Sequence, residues 1–592
     1  MLSGIRSASI TIALGLAALT AYGCSQPQNS TTASTPITSE TIERDLSVGR
    51  LLYSRAPVTL NPHLATGYQD FEAARIVYEP LASYDAQGKL VAFLAEQVPT
   101  VENGGVAEDG LSVTWKLRQD VTWSDGEPFT ADDVVFTFEF ISNPQVAAPT
   151  AQFYAAVDTV EALDDHTVKV TFKEPNPAWA TPFTGQTGLI LPRHIFDESN
   201  GPDARESLAN LQPVGTGPYQ VMGFEPGLIV FEQNPNYWGG APGLVGIELV
   251  GGIAPYAAAR DVMLEGQADF AHNLQVEATA LENLKDEGKG RILTVFGSYV
   301  ERVMLNFADP FAETEAGERA SVQVPHPYFK DIRVRQAINL GIDRDAIANQ
   351  LYGFMGRPVS QLLVAPKRYR SEDLDYTYDP KRSEELLEEA GWIDSNDDGI
   401  RDKDGVELQI RFRAPVNPVR QKTQTLIKED LQALGIAVEI ERIRVDDFFS
   451  GDPEQTKSLN HFFADMQIYS TGNESPDPIT YMGWWTCEKI ATQANLWQEP
   501  NNARYCNPEY DALWQAASQE LDPERRAELF QAMDELLIAD AAVIPLVHRA
   551  IANAVSHDFA GMKPTPWDAS TWDINNWYRD SDTPANPPKE GQ

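Results

Sequence analysis

Histidine and cysteine are scarce in this sequence of 592 residues, and neither is grouped as a metal or catalytic site requires. No two of the eight histidines stand three or four residues apart, so no helix offers the paired imidazoles of a zinc site. The sequence also has no HExxH, GxSxG or P-loop pattern. We therefore expect a protein that is not an enzyme and that carries no cofactor.

Positive charge is in short supply as well. The chain has 46 Lys and Arg against 86 Asp and Glu, which gives a formal net charge of −40. Such a surface repels phosphate backbones and anionic lipid, so we expect no nucleic-acid partner. High negative charge also keeps a protein soluble, and no further explanation of the composition is needed.

Long apolar runs are missing too. The run at residues 10–21 follows Arg6 and is too short to span a bilayer with ease. It has the layout of a secretory signal, here residues 1–23. The following "AYGC" resembles the lipobox of bacterial lipoproteins, which predicts a lipid on Cys24. Residues 24–44, rich in Ser, Thr, Pro and Gln, then form a flexible linker.

The signal peptide, the lipobox-like segment and the linker together predict an exported protein of the cell envelope, anchored to the membrane by lipid on the periplasmic or extracytoplasmic face. The alternative is an ordinary cleaved signal with an incidental cysteine.

Besides Cys24, the chain has only Cys487 and Cys506, an even pair in an exported chain, so we expect a disulfide. It would contribute about 3 kcal/mol by closing a loop of roughly twenty residues. A metal pair is less favoured, because no histidine stands beside either cysteine.

Helical and strand patterns alternate along the chain. "LSVTWKLR" (residues 111–118) alternates apolar and polar residues like a half-buried strand, and Thr130 with Asp133 predicts a capped helix after it. "DPKRSEELLEEAG" predicts a helix capped by Asp379 and stopped by Gly391. This mixture predicts α/β lobes.

Motifs in a fixed order carry a resemblance to a known family. They are "TLNPHLATG", "VYEPLASYDAQGKLVAFLAE", "LRQDVTWSDGEPFTADDVVFTF", "PVGTGPYQV", "NPNYW", "YFKDIRVRQAINLGIDRDAI", "YDPKRSEELLEEAGW", "LQALGIAVEI" and "NPEYDALWQAASQELDPERRAELFQAMDELL". From about residue 50 to 560 the chain resembles the family 5 extracellular solute-binding proteins of ABC importers, the oligopeptide- and dipeptide-binding group. In "GTGPY", Gly215 and Gly217 are expected to allow a tight turn.

The resemblance implies an α/β periplasmic-binding-protein-like fold, in which two lobes close over a ligand at a hinge and an additional third domain is present. It places lobe I at 45–86, 210–305 and 548–592, the extra domain at 87–209, and lobe II at 306–547. It also implies a monomer that captures peptides between the lobes and delivers them to an ABC permease in the membrane.

The resemblance further implies an acid that pairs with the peptide's N-terminal ammonium, four residues before the Pro of an acidic-Pro step. In "STGNESPDPITYM" that step is Asp477-Pro478, and the acid is Glu474. A carboxylate facing an ammonium forms a charge-assisted hydrogen bond. The alternative is that Glu474 is a solvated loop acid in a chain with many of them.

Aromatic side chains flank this stretch. Tyr469, Tyr481, Trp484, Trp485 and Trp497 can stack on a ligand, and Trp in a cleft also suits a sugar. The alternative for most of them is that large aromatics fill cores and cover disulfides. We select Tyr469, Trp484 and Trp485, together with Asp477, as candidate ligand contacts.

The segment "DSNDDGIRDKDG" resembles a calcium loop. Asp394, Asn396 and Asp398 occupy positions 1, 3 and 5, with Asp402 as a further candidate ligand. Position 12, however, is Gly405 where a bidentate Glu is required. A structural calcium ion and a solvated turn are therefore both compatible with these residues.

Two alternatives to the peptide carrier follow. The same fold and importer role suit an oligosaccharide, a nickel chelate or another solute, although the scarcity of His counts against a metal ligand. A secreted hydrolase would need a nucleophile with its base, or a metal site, and the sequence shows neither.

Overall fold

The computed structural model describes residues 44–285, 288–375 and 377–580. The predicted signal peptide, Cys24 and nearly all of the predicted linker lie outside the described residues, so lipidation stays a prediction. The described residues from Asp45 onward form one compact unit.

The strands of the described residues are short, with two exceptions. They are β1 (Val48–Leu52), β2 (Ala82–Tyr84), β3 (Leu90–Ala92), β4 (Ser112–Lys116), β5 (Val157–Asp164), β6 (Thr167–Phe172), β7 (Tyr219–Glu225), β8 (Leu228–Gln233), β9 (Gly246–Val250), β10 (Phe270–Ala271), β11 (Gly290–Leu305), β12 (Gly356–Pro358), β13 (Asp402–Lys403), β14 (Val406–Glu407), β15 (Gln409–Pro415), β16 (Ala437–Ile443), β17 (Met466–Thr471), β18 (Val543–Ser556), β19 (Phe559–Ala560) and β20 (Tyr578–Arg579).

The α-helices lie between and after these strands. They are α1 (Tyr68–Ala74), α2 (Ala131–Ser142), α3 (Arg193–Phe196), α4 (Pro255–Arg260), α5 (Ala278–Lys285), α6 (Ile332–Gly341), α7 (Arg344–Ile347), α8 (Pro380–Glu389), α9 (Pro418–Ala433), α10 (Val445–Phe448), α11 (Ile479–Met482), α12 (Pro508–Gln519) and α13 (Pro523–Ala539). Among the described residues, none of them is long and apolar enough to cross a membrane.

One large sheet organises the molecule. Its strand order is β16-β15-β17-β11-β18-β10-β1-β9-β8-β7, and β12 pairs with β18 beside this path. The two long strands, β11 and β18, lie side by side at its centre. The first half of β11 pairs only with the end of β18, and its second half pairs with the start of β18 and with β17. These two strands therefore connect the two halves of the sheet.

Apolar cores lie on both sides of this connection. One is built mainly by residues 51–249 with residues 555–577, and two others by residues 300–547. The strands β4, β6 and β5 form a separate antiparallel sheet within residues 87–209. The mixed α/β class is confirmed, whereas the boundaries of the lobes and the extra domain stay predictions.

Local capping patterns predicted the helix ends correctly at α2 and α8. Asp379 caps α8 through the backbone N–H of Arg382, and Thr130 with Asp133 forms a capping box at α2. Gly391 adopts a φ of 87° just after α8, which is the left-handed conformation that stops a helix. The predicted strand at 111–118 is β4.

Gly215 and Gly217 are needed for a different reason from the predicted turn. Neither has a positive φ. A Cβ atom on Gly215 would lie 2.1 Å from the carbonyl oxygen of Val77, and one on Gly217 would lie 2.6 Å from it. The backbone N–H of Gly217 donates to this oxygen at 2.7 Å. Two backbone segments thus meet where no side chain fits.

We predict that Gly215→Ala lowers the free energy of unfolding by about 1 to 3 kcal/mol, because the new methyl group must displace the Val77 backbone. Gly223→Ala is the matched control, since a Cβ there has nothing within 4 Å. Chemical denaturation of both variants measures the effect. Equal stability of the two variants would contradict the close-contact explanation.

Candidate ligand-binding recess at the strand crossing

The two central strands carry a bulge where they cross between the halves of the sheet. Phe296 of β11 pairs with Ala550 of β18, and the next pair is Val300 with His548. Residues 297–299 of β11 therefore lie opposite the single residue Arg549 of β18. The Nε2 atom of His548 hydrogen-bonds the Gly297 carbonyl oxygen at 2.8 Å and holds the bulge. Bulges bend a strand and change the direction of its side chains.

The loop after β17 is attached to this bulge. The Ser298 hydroxyl donates to the carbonyl oxygen of Asn473 at 2.6 Å, and the Asn473 amide donates to the Ala365 carbonyl oxygen at 3.2 Å. A Cβ on Gly472 would lie 2.2 Å from the Ser298 carbonyl oxygen, so only glycine allows this approach. These contacts fix the backbone immediately before Glu474.

Glu474 lies in a recess. Its side chain is exposed to solvent, yet desolvation by the surrounding protein raises its pKa from 4.5 to about 7. A group that is accessible and also desolvated lies in a concavity rather than on a convex surface. Within the described residues no hydrogen bond or ion pair engages its carboxylate. Beside it, burial and then the charge of Glu474 raise the pKa of Tyr299 to about 12.

The opposite side of the recess is basic. Arg420 and Glu301 form a buried bidentate ion pair, with Nε–Oε1 and Nη2–Oε2 distances of 2.7 and 3.2 Å. Arg549 is 5% exposed and donates to the Ser470 hydroxyl at 3.0 Å and to the Asn273 amide oxygen at 3.1 Å. Two guanidinium groups and one carboxylate therefore meet at this position.

A third wall comes from α1 and the segment before β11. Glu72 accepts from the Ser570 backbone N–H at 2.8 Å and from the Tyr53 hydroxyl at 3.2 Å, and burial raises its pKa to about 7. His272 lies between the rings of Tyr53 and Tyr68, with centroids 5.3 and 5.1 Å away. Burial lowers the pKa of His272 to about 3, so the ring is neutral. His272 is a packed core group.

Polar contacts join residues before 306 to residues 306–547 around this recess. They link the two parts of the chain that meet at the crossing strands. The contacts are Arg55 Nη2 to Asp446 Oδ1 at 3.3 Å, Lys422 Nζ to Glu277 Oε2 at 2.6 Å, and Asn417 Nδ2 to Gln275 Oε1 at 2.8 Å.

Asp477, the second acid of the predicted binding stretch, has a different role. Both of its carboxylate oxygens accept hydrogen bonds from the buried guanidinium of Arg526, and the Ile479 backbone N–H donates to Oδ1 at 3.1 Å. Its charge is therefore neutralised within the protein. This ion pair gives Asp477 a structural role, and its ligand contact stays a prediction.

The candidate aromatic residues pack mostly in the core. Tyr469 and Trp485 are 3% and 2% exposed. The Arg302 guanidinium lies over both rings, 4.7 Å from the Tyr469 centroid and 5.8 Å from that of Trp485. Trp484 is half-buried, with its ring 5.3 Å from that of Tyr481. Core filling, the alternative considered for these residues, accounts for Tyr469 and Trp485.

The segment suspected of binding calcium satisfies its own carboxylates. Asp394 accepts from the backbone N–H groups of Gly399 and Asp398, and Asp402 accepts from the backbone and hydroxyl of Ser395. In the described part of the chain, no three His, Cys, Asp or Glu side chains form a group that could hold a metal ion. The contacts are those of a self-contained turn.

Cys487 and Cys506 are joined, with sulfur atoms 2.13 Å apart. The disulfide closes a loop that follows the stretch containing Glu474. The Asn501 amide donates to the carbonyl oxygens of Thr486 and Tyr505 at 3.0 and 2.8 Å and ties the two ends of this loop together.

Several residues of the recess were not predicted from the sequence, among them Ser298, Tyr299 and Arg549. The first two lie in a bulge that depends on pairing between distant strands. Arg549 left a signal, because it is a charged residue inside the apolar run "AAVIPLVHRAIANAV". A charge in a buried strand requires a partner or a function.

Comparisons with known proteins agree with this architecture. Residues 60–493 match the model of the bacterial extracellular solute-binding proteins, family 5 Middle. An ABC transporter peptide-binding protein of Brucella ovis is 30% identical over 336 residues, 56% of this chain. The match spans 58% of the length of that relative.

Two solved structures have the same fold. NikZ from Campylobacter jejuni, in complex with Ni(L-His), has a TM-score of 0.76 at 22% identity, covering 90% of this chain and 100% of that one. AppA from Bacillus subtilis, in complex with a nonapeptide, has a TM-score of 0.75 at 22% identity, covering 90% and 99%. Both are two-lobed binding proteins, which confirms the predicted fold.

The family description places its members outside the cytoplasm, and they are transport binding proteins rather than enzymes. The resemblance inferred from the order of motifs is thereby confirmed. The match covers well over half of the sequence, and the chain therefore belongs to the family 5 bacterial extracellular solute-binding proteins.

Proposed function

We propose that this protein is the lipid-anchored substrate-binding component of an ABC importer, which captures peptides in the recess at the strand crossing and delivers them to the membrane permease. The observation that carries the proposal is Glu474, an accessible but desolvated carboxylate with no partner among the described residues. The names of the Brucella relative and of AppA with its nonapeptide support peptide as the ligand class.

A peptide's N-terminal ammonium suits this carboxylate. A desolvated carboxylate without a partner is costly, and a bound ammonium group offsets that cost through a charge-assisted hydrogen bond. The loop that carries Glu474 is already fixed to the bulge through Ser298. The carboxylate is therefore positioned before the ligand arrives, which reduces the entropy lost on binding.

A nickel chelate is the second candidate ligand, because the structural likeness to NikZ is as strong as that to AppA. The recess itself favours the peptide. His272, which contributes to one wall, is a neutral ring packed between two tyrosines and hydrogen-bonded to Ser570. Binding measurements with peptides and with nickel chelates distinguish the two candidates.

We predict that Glu474→Gln weakens binding of a short peptide with a free N-terminus at least tenfold, about 1.4 kcal/mol. Isothermal titration calorimetry measures the change, and Glu488→Gln is the control because Glu488 is an exposed acid nearby in the chain. Unchanged affinity in Glu474→Gln would contradict the ammonium assignment. Nickel–histidine binding without peptide binding would favour the second candidate.

The wild-type affinity should also depend on pH. The pKa of Glu474 is about 7, so its carboxyl group becomes protonated below this pH and loses the ionic contact. We predict an affinity that falls by up to about tenfold per pH unit from pH 7 to pH 5. Glu474→Gln should abolish this dependence, and a variant that keeps the wild-type profile would contradict the assignment.

The stability of the ligand-free protein should change with pH in the opposite direction from the ligand affinity. The folded pKa of Glu474 is raised above the ordinary 4.5, so the folded state holds a proton that the unfolded state releases between pH 4.5 and 7. The wild type therefore loses this stabilising contribution as pH rises through 7. We predict that ligand-free Glu474→Gln has a higher melting temperature than wild type at pH 8, and that the gain vanishes near pH 4. A gain independent of pH would contradict a desolvated carboxylate.

The predicted lipid anchor on Cys24 can be tested separately from ligand binding. We predict that Cys24→Ser moves the protein from the membrane fraction to the soluble fraction, because acyl chains on this cysteine would supply the membrane affinity. Fractionation followed by immunoblotting measures the distribution, with Cys487→Ser as the control for loss of a cysteine. A Cys24→Ser protein that stays with the membrane would contradict lipidation.

A further inference from the structure

The corner between α12 and α13 contacts the small antiparallel sheet formed by β4, β6 and β5. The Gln519 side-chain amide donates a hydrogen bond to the carboxylate of Glu174, just after β6. Leu521 packs on the backbone of Gly110, just before β4, where a Cβ atom would lie 2.9 Å from Leu521 Cδ2. We call these four residues the latch.

The latch joins two parts of the molecule that have separate apolar cores. Val113 of β4 belongs to the same core as Leu51 of β1. Ala517 of α12 and Phe530 of α13 belong to a core of residues 300–543. These two parts are also connected through the crossing strands β11 and β18, so rotation about those strands changes the distance across the latch.

A buried ion pair connects the latch with the loop that carries Glu474. Arg526, near the start of α13, donates to both carboxylate oxygens of Asp477, and its Nε donates to the Ala517 carbonyl oxygen at 2.8 Å. Ala517 lies in the last turn of α12, two residues before Gln519. One guanidinium group therefore holds the end of α12 against the segment that follows Glu474.

The same loop also contacts the first part of the molecule directly. A Cβ atom on Gly88, in the turn between β2 and β3, would lie 3.2 Å from Pro476 Cγ and 3.5 Å from Trp567 Nε1. Ala82 of β2 is buried in the core that contains Leu51. The Glu474 loop thus lies between the two parts, and through Arg526 it is connected with the latch.

We propose that the latch closes the recess on the side of the small sheet, and that a ligand bound at Glu474 tightens it through Asp477 and Arg526. The ligand-dependent part of this inference rests on the proposed function, and the role of the small sheet in closure goes beyond it. A ligand that fixes the Glu474 loop also fixes Asp477 and, through Arg526, the end of α12. The closed arrangement is then more populated, so the ligand leaves more slowly.

The test measures how fast trialanine leaves the purified protein, by stopped-flow tryptophan fluorescence. Gln519→Glu places a carboxylate opposite Glu174 without enlarging the side chain. We expect its dissociation rate constant to rise about three- to fivefold at low salt, with little change in the association rate constant. High salt should remove the increase, because it screens exposed charges. Gln515→Glu is the control, because Gln515 is exposed one turn earlier on α12.

Double variants test the contact and its coupling to the ligand. Glu174→Gln/Gln519→Glu exchanges the amide and the carboxylate, so the dissociation rate should return to that of wild type. Asp477→Asn removes the ionic contact with Arg526 and should reduce the effect of Gln519→Glu by about half or more. Arg526→Lys, which cannot form the paired hydrogen bonds, replaces Asp477→Asn if circular dichroism shows that the latter does not fold.

Three results would overturn the inference. Gln519→Glu may release trialanine no faster than Gln515→Glu, or the exchanged double variant may stay as fast as Gln519→Glu, and either result would overturn the latch. A full effect of Gln519→Glu in the Asp477→Asn background would overturn the coupling to Glu474.

Ligand-free protein separates this inference from the proposed function. Small-angle X-ray scattering at low salt should give Gln519→Glu a larger radius of gyration than Gln515→Glu, since repulsion from Glu174 opens the latch. Equal radii would overturn the latch, whichever ligand the protein binds. Failure of wild type to bind trialanine, together with a larger radius for Gln519→Glu, would overturn the peptide proposal and leave the latch intact.

Discussion

The pairing of β11 with β18 is the constraint on which the binding recess depends. The bulge at residues 297–299 turns Tyr299 toward Arg549 and presents the Ser298 hydroxyl to the carbonyl oxygen of Asn473. That single hydrogen bond attaches the loop before Glu474 to the crossing strands. The binding groups are thus carried by the strands that connect the two halves of the molecule, so relative movement of the halves would alter the recess directly.

Charge is handled in two ways in the interior. Some buried charged groups, such as Arg413 and Asp534, have neutral hydrogen-bond partners only, and others are paired as ions, as Asp477 is with Arg526 and Arg75 is with Asp568. Glu474 and Arg549 have no such partners among the described residues. Unpaired desolvated charges reduce stability, and a protein keeps them where a ligand supplies the missing partner.

Much of the local structure was predictable from the sequence. The cap at Asp379 and the strand at 111–118 were predicted correctly because they depend on neighbouring residues. Trp485 was a candidate ligand contact and is a core residue, since an aromatic side chain has the same sequence signature in a core and in a cleft. Gly215 needs its missing side chain because of the distant Val77 backbone, which no local pattern reveals.

Glu474 came from the family resemblance, whereas Arg549 was missed. Its significance depends on a bulge that brings together residues 251 positions apart in the chain, such as Gly297 and His548. A charge in an apolar strand was visible in the sequence, but the direction in which it points was not. Long-range register, and not local propensity, determines which polar residues of a strand reach the recess.

Native mass spectrometry of the protein, purified without denaturation, tests the central claim most directly, because it identifies the ligand that the cell supplies. The account predicts a set of bound masses that fragment as short peptides with free amino termini. A nickel chelate or an oligosaccharide as the bound species would contradict it, since neither presents the free ammonium group of a peptide to Glu474.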